Sequence, residues 1–201
     1  MYGRLLDGEL HTFGHEGVLY RNSFVMYDHQ TSSLWVHTTG QAVKGELRGA
    51  ELEFLPSEVV PWTVWLDRHP DTLVLDRGGE DDGFMGTFAL PDDVDDFGIS
   101  VGSGTDARLY RYEQLVTEVV MHGPGHVVLY DEATESVRAY ARGDETYTIG
   151  NGRLSTSYAS YDALTGAFRA GAAPDDLRRL PATAWLVQRW EGVHPDGEFA
   201  E

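Results

Sequence analysis

The chain has 201 residues, with 33 acidic and 15 basic side chains, a formal net charge of −18 and no cysteine. This length predicts one domain, or two small halves, with a sizeable core. The lack of cysteine excludes a disulfide scaffold and thiolate metal sites, and the shortage of basic residues argues against nucleic acid as a partner, because phosphate binding needs a basic face.

The first ten residues, MYGRLLDGEL, lack the charged and then apolar pattern of a signal segment, and no apolar run approaches the roughly 18 residues of a membrane span. We therefore expect a cytoplasmic protein that does not bind a membrane. The acidity has two interpretations, which the sequence leaves open: a surface adapted to high salt, or a genome that uses arginine in place of lysine. A melting midpoint that does not rise between low and molar potassium chloride would exclude the first.

Short runs of alternating β-branched and aromatic residues, such as FVMYD, SLWVH, HVVLYD and VRAYA, predict a mainly β protein of the β-rich α+β class, built from hairpins. Helical spacing appears from Val60 to His69, where Pro61 can occupy the first helical position and Pro70 ends the helix. A second helix is predicted from Glu113 to Met121.

An acidic, turn-rich stretch divides the chain and predicts a linker. We therefore expect a first half at 1–78, a linker at 79–104 and a second half at 105–201, which together can also form one compact domain. An internal repeat supports this division. The segment LPSEVVPWTVWLDRHPD (55–71) aligns without gaps on LPATAWLVQRWEGVHPD (180–196), with six identities.

The repeat also predicts local structure. Tyr-Asp-x-x-Thr occurs three times, beginning at Tyr27, Tyr130 and Tyr161. It predicts a strand, a tight turn in which the Asp and Thr side chains cap backbone amides, and a returning strand. Each half should then consist of hairpins and a short Trp-bearing helix packed on the sheet, around Trp65 in the first half and Trp190 in the second.

The repeat separates scaffold residues from functional candidates. His69 and His194 occur in both copies, each before a proline, and are predicted to cap the last carbonyls of a helix. Trp35 and Trp62 are expected in the core. Residues without a counterpart in the other copy are freer to serve chemistry, and in the first half these are His15, Glu16, His29 and His37.

The run from Phe13 to Leu75 resembles the signature of an uncharacterised family, domain of unknown function 3179. The motifs MYDxxTxSLW, TGxAxxGxLxGxxLxxLPS and WxxWxxxHPDT occur here in that order, and a fainter similarity extends through DARLYRYEQL (106–115). The family normally carries an upstream Cys-Pro-Leu-Cys segment, so the chain is either a shortened relative or a truncated one. The resemblance implies no reaction, because the family carries no established one.

Three further motifs are better explained as ordinary structure. Gly98-x-Ser100-x-Gly102 fits a nucleophile elbow and residues 102–107 fit a dinucleotide fingerprint, but neither is followed by the helix that the motif needs. The acidic cluster at residues 92–96 lacks the spacing of a calcium loop. We expect a strand and a turn at the first two sites and a solvated linker at the third.

Imidazole and carboxylate side chains in the first half suit zinc, copper or iron. In the predicted hairpin His37 lies opposite Phe24, roughly 13 Å along the strands from His29, so these two histidines cannot share one ion. A metal site would therefore use His37 with His15 or His11. The acid and base candidates are Glu16, Asp28 and His29.

No complete catalytic set emerges, so the leading hypothesis is a binding or structural module whose small-molecule or protein partner the sequence does not define. The alternative is a metal-binding protein or a metal-dependent enzyme that uses the first-half histidines. An enzyme should bring those histidines into one concave pocket, whereas a module should scatter them over the surface. A homodimer that covers an unpaired strand edge is a further expectation, which strictly monomeric elution would contradict.

Overall fold

The structure is a computed structural model that describes residues 1–21, 23–74, 97–172 and 175–200. It is mainly β, as the sequence predicts. The elements before residue 75 are β1 (Leu5–Leu6), β2 (Glu9–Leu10), β3 (Phe13–Tyr20), β4 (Ser23–Asp28), β5 (Leu34–Val36), β6 (Ala42–Lys44) and α1 (Trp62–Arg68).

The elements after residue 96 are more numerous and include a 3-10 turn at Gly104–Asp106. They are β7 (Phe97–Val101), β8 (Arg108–Arg111), α2 (Tyr112–Glu118), β9 (Val120–Gly123), β10 (His126–Asp131), β11 (Ser136–Ala141), β12 (Thr148–Gly150), β13 (Arg153–Ser155), β14 (Ala159–Asp162), β15 (Phe168–Gly171), β16 (Arg179–Leu180), β17 (Ala182–Leu186), α3 (Val187–Val193) and β18 (Glu198–Phe199).

The strands form sheets of four, apart from the small β1-β2 ladder. The first-half sheet has the order β3-β4-β5-β6, and two further sheets have the orders β16-β11-β10-β9 and β12-β13-β14-β15. A sheet that we call the closing sheet has the order β17-β7-β8-β18. Because β17 pairs with β7 along five residues, the end of the chain returns to the strand that begins at Phe97.

The three Tyr-Asp-x-x-Thr segments each form the predicted tight turn, in the hairpins β4-β5, β10-β11 and β14-β15. In every turn the Thr hydroxyl donates to the Asp carboxylate. The oxygen-to-oxygen distances are 2.9 Å from Thr31 to Asp28, 2.8 Å from Thr134 to Asp131 and 3.0 Å from Thr165 to Asp162. A local hydrogen bond therefore fixes each hairpin, as expected for this sequence pattern.

The two Trp-bearing helices differ in how they pack. In α3, Trp190 is fully buried and its indole Nε1 donates to Ser100 Oγ at 2.8 Å, as a helix packed on the closing sheet requires. In α1, no residue is buried, and Trp62 is 51% exposed. The expectation of a core role for Trp62 is therefore wrong, because helical spacing sets which side chains share a face but not whether an apolar surface lies against that face.

The helix boundaries also differ from the predicted ones. Pro61 is the N-cap of α1 rather than its first residue. The helix predicted from Glu113 to Met121 ends at Glu118, because Val119 takes a left-handed conformation with φ of 56° and β9 begins at the next residue. The left-handed conformation of Val119 turns the chain out of the helix, and the spacing of apolar residues does not predict that conformation.

A partly buried ion cluster joins the segment after the first-half sheet to the second part of the chain. Oε2 of Glu58 lies 2.9 Å from Nη2 of Arg138 and 3.3 Å from Nη2 of Arg179, while Oε1 lies 3.0 Å from Nη1 of Arg68. Arg138, on β11, is fully buried and also contacts Asp131. Glu58 therefore holds this segment against β11 and β16.

The predicted linker at 79–104 is only partly covered by the structure. Its residues 79–96, with the acidic cluster at 92–96, lie outside the described residues, and Phe97–Val101 form β7 within the closing sheet. Among the helices of the described residues, none has the length and apolarity to cross a membrane.

Candidate functional site

The structure places Asp28 in a structural role. Its carboxylate is fully buried and accepts hydrogen bonds from the indole Nε1 of Trp35 at 2.8 Å and from the backbone N–H groups of Thr31 and Ser33. Burial alone would raise the pKa of Asp28, but these hydrogen bonds outweigh it and the net pKa is lowered. The fully buried Trp35 confirms its predicted place in the core. Asp28 is thus an ionised anchor for its own turn.

His11 lies beside this anchor. It is buried, and its Nδ1 is 3.8 Å from Oδ1 of Asp28, which is beyond hydrogen-bond distance. Since Asp28 is already bonded to Trp35 and Thr31, its carboxylate is committed to the turn.

His15 and His37 both contact the ring of Phe24. The ring of His15 stacks on Phe24 with centroids 4.5 Å apart, and that of His37 meets it edge to face at 5.6 Å. The backbone N–H of His37 donates to the carbonyl of Phe24 at 2.9 Å, which confirms the predicted pairing. The rings of His15 and His37 therefore both pack against Phe24.

The acid and base candidates Glu16 and His29 are exposed. The ring of His29 lies 5.1 Å from that of Tyr27, and Glu16 borders a shallow depression beside Lys44. Within the four described stretches of the chain, no group of three His, Cys, Asp or Glu side chains could hold a metal ion. The first-half residues selected from the sequence are thus distributed over the first-half sheet.

The serine of the nucleophile-elbow motif has a structural partner. Ser100 lies within β7, its side chain is buried, and its Oγ accepts the indole N–H of Trp190. Gly102 follows with φ of 84° and leads into the 3-10 turn instead of a long helix. The strand and turn expected for both glycine motifs are therefore present.

A cleft opens between the first part of the chain and the closing sheet. It consists of two adjoining cavities of about 360 and 290 Å³, which share five lining residues. One wall comes from the N-terminal residues and the segment 37–54, and the other comes from β17 and the chain around α3. The shared residues are Tyr2, Thr38, Phe54, Thr183 and Trp185. We call this feature the interface cleft.

Aromatic side chains define the first wall of the interface cleft. The rings of Tyr2 and Phe54 stack with centroids 5.0 Å apart, and the Tyr2 hydroxyl donates to the carbonyl of Thr38 at 2.7 Å. Burial raises the pKa of Tyr2 to about 12. Gly40, with φ of 68°, allows the chain to pass close against the Tyr2 ring, where a side chain would collide with it. A ring stack, a hydrogen bond and a close backbone contact therefore hold this wall together.

Two hydroxyl groups lie on the floor of the interface cleft. Ser100 and Thr183 face each other across the β7-β17 pair, and both line the larger cavity. The Ser100 hydroxyl accepts from Trp190 and keeps its own hydrogen for donation. Thr183 Oγ1 is buried and has no hydrogen-bond partner among the described residues.

His194 closes the inner side of the interface cleft. Its ring stacks on Trp190 with centroids 5.3 Å apart and meets Trp185 edge to face at 5.5 Å. Burial lowers the pKa of His194, so the imidazole is neutral at pH 7. Its backbone N–H, rather than its ring, bonds to the carbonyl of Trp190. The same holds for His69 and Trp65, so both histidines cap the last carbonyls of their helices as predicted, through the backbone N–H groups.

Charged groups of the interface cleft lie at its margins. Glu51 and Asp196 line the larger cavity and are exposed, and Oε1 of Glu51 accepts a 3.2 Å hydrogen bond from Nε2 of Gln41. Arg189 lines the smaller cavity and is also exposed. The floor thus offers neutral hydroxyl and imidazole groups, while the ions remain in contact with water.

Of the site residues selected from the sequence, His37 alone lines the interface cleft as the structure describes it. Thr183 was missed, although a signal was present: in the aligned repeat it stands where the first copy has Glu58. Residues that differ between the copies were expected to serve chemistry, and Glu58 and Thr183 each carry a buried polar atom. His194 was assigned to the scaffold because both copies contain it.

Comparison with known proteins agrees with the resemblance found in the sequence. Residues 1–85 match the family model described as "Protein of unknown function (DUF3179)". No curated protein and no solved structure matches the chain. The family match covers the first wall of the interface cleft but not Ser100, Thr183 or His194. Over its first 85 residues, the chain resembles the family of proteins of unknown function DUF3179.

Proposed function

We propose that the protein is a binding module for a small polar molecule, which occupies the interface cleft. The observation that carries this proposal is the buried hydroxyl of Thr183, which lacks a hydrogen-bond partner among the described residues. It lies on the floor of a cleft with aromatic walls, and each of the two cavities has a volume close to or within the roughly 300–1,000 Å³ of ligand pockets.

An unpartnered buried hydroxyl costs a protein about 1–3 kcal/mol of stability. Most such groups are bonded to protein or to water, and an exception needs an explanation. A ligand that donates to or accepts from Thr183 would remove this cost on binding. Ser100 points into the same cavity with a hydrogen to donate, so two neighbouring groups favour a polar ligand at one place.

The same floor argues for binding rather than nucleophilic catalysis. A hydroxyl nucleophile needs a base within hydrogen-bond reach. Among the described residues, the Ser100 hydroxyl contacts the Trp190 indole, which only donates, and Thr183 has no partner. Neither hydroxyl is therefore activated in this structure.

The metal hypothesis built on His11, His15 and His37 receives less support from the geometry. Among the described residues, no group of three His, Cys, Asp or Glu side chains could hold an ion, and His11 lies next to an Asp28 carboxylate that is already bonded. Elemental analysis tests the metal hypothesis. It compares wild-type protein, purified without chelator, with the double variant His15→Ala, His37→Ala. Near-stoichiometric zinc, copper or iron that the folded variant loses would establish the metal site.

A thermal-shift screen with chemically diverse small molecules tests the binding proposal. The screen compares the wild type with Thr183→Val, which has the same shape without the hydroxyl, and with the control Thr148→Val on the exposed strand β12. We expect compounds that raise the melting midpoint of the wild type and the control and raise that of Thr183→Val less. Compounds that stabilise all three proteins equally would place binding outside the cleft.

A further inference from the structure

We infer that the ligand of the interface cleft is a neutral saccharide. This inference rests on the proposed function and adds the chemical class of the ligand. It follows from three properties of the cleft: where its charges lie, which hydrogen-bonding groups its floor presents, and which aromatic rings form its walls.

The charge distribution disfavours an anion. The larger cavity is lined by two carboxylates, Glu51 and Asp196, and by no lysine or arginine among the described residues. Arg189 lines the smaller cavity only, and it is exposed. His194 is neutral there, because burial lowers its pKa. The whole chain carries a net charge of −18, so a negatively charged ligand would be repelled both locally and at a distance.

The depth of the charges disfavours an organic cation. Glu51 and Asp196 are exposed at the margin, and Glu51 is already bonded to Gln41. A cation that reached the floor would lose its hydration and would meet only hydroxyls and a neutral imidazole. Burial of an unpaired charge is far more costly than burial of a polar group. The floor therefore fits an uncharged ligand.

The hydrogen-bonding groups fit a ligand with many hydroxyls. The Ser100 hydroxyl has a hydrogen to donate, Thr183 can donate and accept, and the marginal carboxylates accept only. A sugar hydroxyl both donates and accepts, so one type of ligand group satisfies all of these partners. Thr38 and Gln41 add further polar groups along the same cavity.

The aromatic walls fit the apolar faces of sugar rings. Phe54, Tyr2 and Trp185 line both adjoining cavities, so a ligand with two linked rings can place one ring in each. Aromatic rings have a large apolar face, and those of Tyr and Trp also have a polar end. They therefore suit a partner with one apolar face and one hydrated face. A saccharide has this character.

Saturation-transfer NMR and titration calorimetry test this inference on the full chain. The probes are glucose, galactose, N-acetylglucosamine, maltose and cellobiose, with choline, acetate and phosphate as charged comparators. We expect at least one saccharide to bind and the charged probes not to bind. Thr183→Val should weaken that binding about fivefold, which corresponds to one hydrogen bond, and Trp185→Phe should weaken it further, whereas Thr148→Val should leave it unchanged.

The outcomes separate this inference from the proposed function. Saccharide binding that Thr183→Val weakens supports both. Binding of a charged probe, or of another compound from the wider screen, that Thr183→Val weakens overturns the saccharide class and keeps the cleft as a binding site. If no probe and no screened compound binds in a way that depends on Thr183, both are wrong.

Discussion

The indole Nε1 of Trp35 donates a 2.8 Å hydrogen bond to Oδ2 of Asp28, and both side chains are fully buried. This bond connects the first of the three Asp-x-x-Thr turns to the small core around Trp35, Ala42 and Leu52. It distinguishes the Asp28 turn from the two related turns, whose aspartates bond within the turn or to an arginine. One carboxylate here serves both the turn and the core.

Asp28→Ala should destabilise the protein by about 3 kcal/mol, because the N–H groups of Trp35, Thr31 and Ser33 lose their acceptor in a buried place. Chemical unfolding measures the change in the free energy of unfolding. Asp162→Ala is the matched control, since its side chain is one-fifth exposed and water can replace it. Equal losses in the two variants would contradict the role given to Trp35.

Asp162 should contribute to stability in a pH-dependent way. Its hydrogen bond from Arg169, at 2.6 Å, lowers the pKa of the carboxyl to about 2. Because the folded pKa is below the unfolded value, the contribution is complete above about pH 4 and is lost as the pH falls toward 2. Arg169 is about half exposed, so screening reduces the contribution to about 1 kcal/mol.

Asp162→Asn checks this contribution through unfolding curves at several pH values. The variant should show a shallower loss of stability between pH 4 and pH 2 than the wild type, and Arg169→Gln should reproduce most of the effect. Parallel stability curves for all three proteins would show that the ion pair does not operate in solution.

Three histidines should make the protein less stable as the pH falls from 7 to 5. Burial lowers the pKa of His122, His126 and His194 below the unfolded value of about 6.5. The unfolded chain therefore binds more protons in this range, and the stability present above pH 6.5 is progressively lost below it. Nε2 of His122 also accepts the backbone N–H of Tyr147 at 2.9 Å, which requires the neutral ring.

His122→Gln isolates one of these contributions, since the glutamine oxygen can accept the same N–H without titrating. The free energy of unfolding of this variant should depend less on pH between 7 and 5. His29→Gln, at an exposed turn position, is the control and should keep the slope of the wild type. A slope unchanged by His122→Gln would be the contrary result.

Glu58→Ala should cost about 3 kcal/mol of stability, because it leaves the fully buried Arg138 with Asp131 as its remaining acidic partner. The double variant Glu58→Leu, Arg138→Met should recover much of this loss, since it removes both charges and retains apolar volume. A double-mutant cycle of Glu58→Leu and Arg138→Met, each alone and both together, gives the coupling by chemical unfolding. Additive effects of the two single changes would show that the buried pair is not coupled.

The sequence predicts local features of this fold well and distant ones poorly. The Asp-x-x-Thr turns are predictable because the bonds that form them lie within four residues, as in Asp28 and Thr31. The burial of Trp190 and the exposure of Trp62 are not predictable from spacing. The difference arises because α3 packs on the closing sheet, whereas no residue of α1 is buried.

The interface cleft escaped prediction for the same reason. Tyr2, Phe54 and Thr183 are far apart in sequence, and the β7-β17 pairing that forms the floor joins residues more than 80 positions apart. Hydrophobic periodicity indicates which face of β17 is polar, but not that a cavity lies beside it. The first-half histidines were selected by residue type and by the lack of a counterpart in the second copy, and the placement of His15 and His37 depends on Phe24.

Calorimetric titration of the strongest compound from the screen into the wild type, Thr183→Val and Thr148→Val tests binding in the interface cleft directly. The wild type and Thr148→Val should bind equally, and Thr183→Val should bind about fivefold more weakly. Thr183→Val should also unfold at the same or a higher midpoint, since a buried hydroxyl without a partner among the described residues has been removed. Equal affinity in all three proteins would contradict the interface cleft as the ligand site.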